Sequence, residues 1–251
     1  MVPIDTEIAL LFAAGLWAGA QNALAGGGSF VTLPVLMLTG LDARLANLTS
    51  TVALFPGQVV AGIRGRGMIG DEGPLRRSVL VAINLGGGAI GAGLLLATPS
   101  DVFARFVPWL ILFATAIFIV SGRRNGGGPD ERAATMGPTS FGVVQFVLAV
   151  YGGYFGGGGS FLMLAALSLA GFAARSAAAF KNVLLGLINA AAVLVFVMSG
   201  KAVLDKAAVL GAGALVGGIV GVWILRRVDE AHLRIVVAGI GLALTAWLFA
   251  S

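Results

Sequence analysis

Two identical pentapeptides, Gly26-Gly27-Gly28-Ser29-Phe30 and Gly157-Gly158-Gly159-Ser160-Phe161, stand 131 positions apart, each between apolar segments. A glycine run does not hold a regular helix, since each Gly costs about 0.8–1 kcal/mol against Ala in a helix interior. Each run therefore reads as a break followed by the start of a short helix. There the first backbone N–H groups lack intrahelical partners and the helix dipole is positive. Ser is a favoured N-cap, and glycines let backbone approach a ligand closely. Such a break is suited to holding a small anion without a fixed charge. The alternative role for glycines is close helix packing, and that is the reading for Gly86–Gly88 and Gly213–Gly221.

A polar patch follows each break. Asn47, Thr49, Ser50 and Thr51 fall opposite Ala178, Phe180, Lys181 and Asn182 when the halves are superposed. Lys181 lies inside an apolar segment, where a charge costs about 2.5–3.5 kcal/mol on the insertion scale. It would attract an anion, with Asn182 donating a hydrogen bond; the bland alternative is a lysine snorkelling from a helix end. The candidate binding residues are therefore Gly26, Gly27, Gly28, Ser29, Asn47, Ser50, Thr51, Gly157, Gly158, Gly159, Ser160, Lys181 and Asn182. The matched Arg44 and Arg175 read as structural residues at helix starts. Gln21, Asn22, Gln58, Asn84, Gln145 and Asn189 read as interhelical hydrogen-bonding amides. Tyr151 and Tyr154 fit a site lining and an interface anchor equally.

Other chemistries fail on residue type. Cysteine is absent, which excludes thiol catalysis, disulfides and Cys-ligated metals, and His232 is the only histidine. No nucleophile–base pair or carboxylate pair is evident, so no enzyme and no cofactor is implied. Gly156–Gly159 and Ser160 lack the following Lys and preceding strand of a P-loop. Asn47-Leu48-Thr49 matches a glycosylation sequon but sits at the edge of a span.

The elements that must position these residues are set by composition. Of 251 residues, 58% are apolar and 11% charged, and the mean hydropathy is +0.99. Soluble domains carry about 25% charged residues, so lipid is the expected solvent here. The net charge of +5 sits in short basic clusters, which suits loops at anionic headgroups rather than a nucleic-acid groove. A span needs about 20 apolar residues. Segments are predicted at 5–24, 29–41, 43–63, 75–97 and 103–121, then at 139–156, 160–171, 174–199, 205–226 and 231–250. Residues 1–121 form the first membrane repeat, 122–138 a cytoplasmic linker, and 139–251 the second repeat.

Roughly fourteen of the 33 residue pairs between positions 26 and 58 and their counterparts 131 further on are identical. If each half has five segments the halves are inverted; if four, parallel. The inverted arrangement puts ten basic loop residues inside and three outside, against nine and four for the parallel one, and it is favoured. The predicted fold is an all-α polytopic membrane protein of two inverted repeats, with Gly-broken short helices at its centre.

The order Gly-Gly-Gly-Ser, a short segment with Pro34, Gly40, the Asn-Leu-Thr-Ser patch, a basic loop and a Gly-rich span resembles the TauE/SafE family of sulfite exporter-like permeases. Lys181-Asn182 followed by Gly200-Lys201 is also similar to that family. The resemblance covers nearly the whole chain, although Asn47-Leu48-Thr49-Ser50 departs from the usual small-Gly-Thr-Ser run. It implies transport of sulfite, thiosulfate, sulfonates or related anions in a bacterial inner membrane. Alternating access about a central site is the expected mechanism. The partners expected are the anion and the lipid bilayer, with no nucleic acid; a homodimer is left open. A non-transporting scaffold or signalling partner is the competing class, and the duplicated breaks argue against it.

Overall fold

The computed structural model describes residues 3–24, 26–65, 74–124, 136–157, 159–172 and 174–224, with a few positions between 239 and 246. The segment expected at 231–250 lies almost wholly outside these residues, as does most of the 122–138 linker. Among the described residues there are helices and no strands. They are α1 (Ile4–Leu24), α2 (Ser29–Leu38), α3 (Ala43–Gly65), α4 (Arg77–Ala97), α5 (Ser100–Arg124), α6 (Pro138–Tyr154), α7 (Gly159–Leu169), α8 (Ala174–Met198) and α9 (Leu204–Ile224).

The boundaries follow local chemistry. Pro138 opens α6 at its first turn, where a missing N–H is harmless. Asp42 accepts from the amides of Arg44 and Leu45 and so caps α3. Gly40, Gly171 and Gly200 take positive φ just past helix ends. α2 and α7 are short because the glycine breaks delay their starts.

Polarity is distributed inside-out relative to a soluble protein. Gln21, Asn47, Thr49, Ser50, Asn84, Gln145, Lys181 and Asn189 are buried, while Trp17, Ile90, Trp109, Val147, Leu194 and Ile219 are exposed. Among the described residues, Arg77–Ala97 and Ala179–Met198 are long and apolar enough to cross a membrane by length and composition.

The halves interlock. α1 packs along α9, α4 along α6, and α3 meets α8 between them. The α1–α9 and α4–α6 seams are backbone against backbone: a Cβ on Gly217 would lie 1.9 Å from the Leu16 carbonyl oxygen, and one on Gly91 2.1 Å from that of Val150. Helix directions follow from the contacts. Phe12 meets Gly213 and Leu16 meets Gly217, so α1 and α9 run the same way. Phe146 meets Gly87 and Val150 meets Gly91, so α4 and α6 do too. α3 and α8 run oppositely: Gly62 faces Asn182 and Val183, whereas Gln58, earlier on α3, bonds Asn189, later on α8.

Among the described residues, several polar ties lie where α1 and α3 begin. Lys206 of α9 pairs with Glu7 of α1 and donates to the Thr39 carbonyl at 3.2 Å. Arg44 donates to the carbonyls of Leu96 and Thr98 at the end of α4, the structural role expected of it.

Candidate functional site

The first break is a tight reversal. Gly26 and Gly27 adopt φ of +91° and +80°, left-handed backbone that suits glycine, and all of Gly26–Gly28 is buried. α1 and the start of α2 are thereby pressed together. A Cβ on Gly28 would sit 2.7 Å from the Ala18 carbonyl oxygen. Neither Ser29 nor Ser160 caps its helix as expected. α2 starts at Ser29 itself with no side-chain cap, and α7 starts one residue earlier, at Gly159. Asn22, from the preceding helix, takes the capping role because the reversal brings it alongside: its Oδ1 accepts from the Gly28 amide at 2.8 Å. Gln21 donates to the Gly27 carbonyl at 3.1 Å and accepts from the Trp17 indole. The Gly26 and Phe30 amides are satisfied by the carbonyls of Gln21 and Gly27. Fewer amides are thus left for a ligand than a bare helix start would offer.

The second break is clamped in the same way. Tyr151 donates to the Gly157 carbonyl at 2.9 Å, and Gly156 takes φ +70°. Gly158 lies outside the described residues. Tyr151 therefore braces the break, while Tyr154 donates to Thr98 at 3.4 Å and meets the Phe103 ring edge-on.

The polar patch of each half meets the other half. Asn47 donates to the Tyr154 carbonyl at 3.1 Å, and a Cβ on Gly156 would lie 3.2 Å from the Thr51 hydroxyl oxygen. Thr51 also donates to the Asn47 carbonyl, and Ser50 shares a 2.5 Å hydrogen bond with Thr32. Asn47 and Thr51 thus abut the second break from α3, whereas Ser50 ties α3 to α2 within the first half. From the second half, the backbone of Asn182 on α8 packs near Gly62 of α3.

Between these elements lies a cavity of about 270 Å³. Gly19 and Asn22 of α1, Gln58 of α3, Ser160 of α7 and Asn182 of α8 supply its polar wall. Leu54, Val60, Leu185, Leu215 and Ile219 supply the apolar one. The contributing positions lie toward the ends of α1, α3 and α9 and the beginning of α8. With α3 and α8 antiparallel, those are the same end of the bundle. The Gly28 amide fixes the Asn22 orientation, since only Oδ1 accepts, and leaves its NH2 as the edge available to a ligand. The wall thus offers neutral hydroxyl and amide groups, with neither acidic nor basic side chains on it.

Lys181 is 5% exposed, so it does not snorkel to the surface. It shares the buried face of α8 with Leu185 and Ile188, one residue before Asn182, and does not itself form the cavity wall. Of the expected residues, Ser160 and Asn182 come together at the cavity. Gly26–Gly28 adjoin it through Asn22. Ser29, Asn47, Ser50, Thr51 and Gly157 stand away from the wall, and Gly159 packs toward Leu185.

The family described as Sulfite exporter TauE/SafE matches residues 11–248. The chain belongs to the TauE/SafE family. It is 28% identical over 246 residues, 95% of this chain and 93% of the relative, to a "Probable membrane transporter protein" of Haemophilus influenzae. It is 29% identical over 218 residues, 85% of this chain and 81% of the relative, to "Probable membrane transporter protein ORF9" of a Sinorhizobium species. The Escherichia coli K12 protein "Probable membrane transporter protein YfcA" is 26% identical over 224 residues, 85% of this chain and 79% of the relative. Membrane transport, with location in a membrane, is the function these matches support for this TauE/SafE chain.

Asn22 and Gln58 are the wall residues that sequence reasoning treated only as packing amides. Asn22 sits four residues before the first break, and that nearness was the available signal. Gln58 carried none.

Proposed function

We propose that this TauE/SafE protein moves a small anion, a sulfur oxyanion or organosulfonate, through the cavity between its two halves by alternating access. The observation that carries the reading is the cavity itself, where Ser160 and Asn182, residues expected at the site, meet Asn22 and Gln58 from the other half. Hydrogen-bond donors hold the head group, the apolar wall accepts a short organic tail, and Lys181 behind Asn182 biases the region toward negative charge. The remaining residues of the two breaks and of the α3 patch shape the path on either side.

Two inverted repeats in a multi-pass inner-membrane bundle are part of the proposal. Several contacts support that arrangement. The Gln58–Asn189 pair joins positions 131 apart, the repeat offset, and it does so between antiparallel helices. Equivalent residues meeting on antiparallel helices is what a two-fold axis in the membrane plane produces. The α1–α9 and α4–α6 seams are exchanged by the same operation. Four crossings per half would instead make α3 and α8 parallel.

Flux of radiolabelled sulfite and of short alkanesulfonates in proteoliposomes tests the function, with Lys181→Ala and Ser160→Ala alongside. Uptake by the parent and a loss of about tenfold or more in each variant is the expected result. A folded Lys181→Ala protein that transports every substrate like the parent would remove Lys181 from the site.

A further inference from the structure

We infer that Gly57 sets the size of the ligand, and that the duplication has left this chain one pocket rather than two. The ligand's identity rests on the transport reading; the pocket does not.

Most seam glycines of α1, α4, α6 and α9 are used for contact, with backbone of a neighbouring helix where a Cβ would be. Gly57 is different. A Cβ there would meet only the Ala214 carbonyl oxygen, at 3.9 Å, and the position forms part of the cavity wall. Across the wall Gly218 is similar, its nearest neighbour being the Gly19 carbonyl oxygen at 3.9 Å. Glycine in a helix is costly, and here no packing contact offsets that cost. What the missing side chain leaves is volume in front of the Asn22, Gln58, Ser160 and Asn182 polar groups.

The repeat supplies an internal control. The position equivalent to Gly57 is 188, an isoleucine that is completely buried. Its Cγ2 lies 3.1 Å from where a Cβ on Gly152 would stand, and its carbonyl oxygen 2.5 Å from one on Gly88. The position equivalent to Asn22 is 153, a glycine whose missing Cβ is replaced by the Gly88 carbonyl oxygen at 2.2 Å. At the two-fold mate of the pocket the amide of Asn22 is thus missing and a side chain fills the place of Gly57, although Ser29, Thr51 and Asn189 keep polar groups at the other equivalent positions. Leu54 and Leu185 are themselves equivalent and both line this cavity, so the pocket adjoins the axis but extends to one side of it. A short tail on an anionic head fits beside Gly57; a longer one meets the wall there. The ligand class is a compact amphipathic anion whose tail length residue 57 limits.

The chain lacks cysteine, so single cysteines report cleanly. Gly57→Cys and Ile188→Cys, in the full-length protein in liposomes, are treated with iodoacetamide with and without methane- to butanesulfonate. The expected result is alkylation of the Gly57→Cys protein and none of the Ile188→Cys protein before denaturation, with the short sulfonates protecting the thiol at position 57. In parallel, Gly57→Ala and Gly57→Val are expected to shorten the longest sulfonate that competes, with about tenfold weaker competition per excluded methylene. An unreactive thiol at position 57, an equally reactive one at position 188, or a folded Gly57→Val protein with the parent's ranking of sulfonates would overturn the inference. Should Gly57→Val not fold, protection of the Gly57→Cys thiol decides alone. A parent that moves no anion while that thiol is still protected would contradict transport and leave the pocket standing; transport without protection would do the reverse.

Discussion

Asn22 and Ser160 both line the cavity, yet only Asn22 carries structural weight. Its Oδ1 satisfies the buried Gly28 amide, so Asn22→Ala orphans that donor, at a cost of about 1–3 kcal/mol. Ser160→Ala removes a hydroxyl from the wall without breaking a comparable bond. Asn22→Ala is therefore expected to lower both the melting temperature in detergent and anion flux, whereas Ser160→Ala lowers flux with little thermal effect. Equal melting losses in the two would mean that Ser160 is structural. Part of this residue-level picture was legible beforehand: Ser160 and Asn182 stand out through the repeated break and the neighbouring buried lysine, while Ser29, Asn47, Ser50, Thr51 and Gly157 carry the same signals and stand away from the wall. Gln58 does not stand out. A lone amide in an apolar stretch looks the same whether it faces a cavity or a neighbour, and its partner Asn189 is 131 residues away. Gly57 is equally inconspicuous among 39 glycines, because what matters is the empty space beside it.

At the scale of elements, helix starts and stops were readable from Gly, Pro and charge, and the described helices begin and end close to the expected segments. Helix pairing was not, since it depends on which glycine faces meet. Those faces give a sharp contrast within one helix. A Cβ on Gly91 would lie 2.1 Å from Val150 backbone, while Gly93 has nothing within 4 Å. Gly91→Leu is expected to destabilise by at least the 1–3 kcal/mol typical of overpacking, at about the level that prevents recovery of folded protein. Gly93→Leu should stay within about 0.5 kcal/mol of the parent. Thermal denaturation followed by size-exclusion profile compares them directly; similar losses in both would place the α4–α6 seam elsewhere. Helix direction also yields a topology prediction. Lys201 precedes α9, at the end where α1 starts, and Gly137 precedes α6 at the other end. Cysteines introduced at positions 201 and 137 should label from opposite faces of the membrane, 137 from the cytoplasm. Labelling of 201 from the cytoplasm would contradict the inverted arrangement.

For the whole molecule, the described polar ties and the cavity fall at different levels of the bundle. Where α1 and α3 begin, Glu7–Lys206, Arg44–Thr98 and Asn47–Tyr154 tie the elements together. The cavity lies toward the other end. Duplication made both halves legible in the sequence, but not that one half's pocket had been filled by Ile188. The most direct test is counterflow of labelled sulfite and ethanesulfonate in proteoliposomes with the parent, Asn182→Ala and Lys181→Ala. The account predicts saturable exchange by the parent and a loss of about tenfold or more in both variants, each still monodisperse and folded. Parent-like exchange in both folded variants would contradict the placement of the anion between the halves.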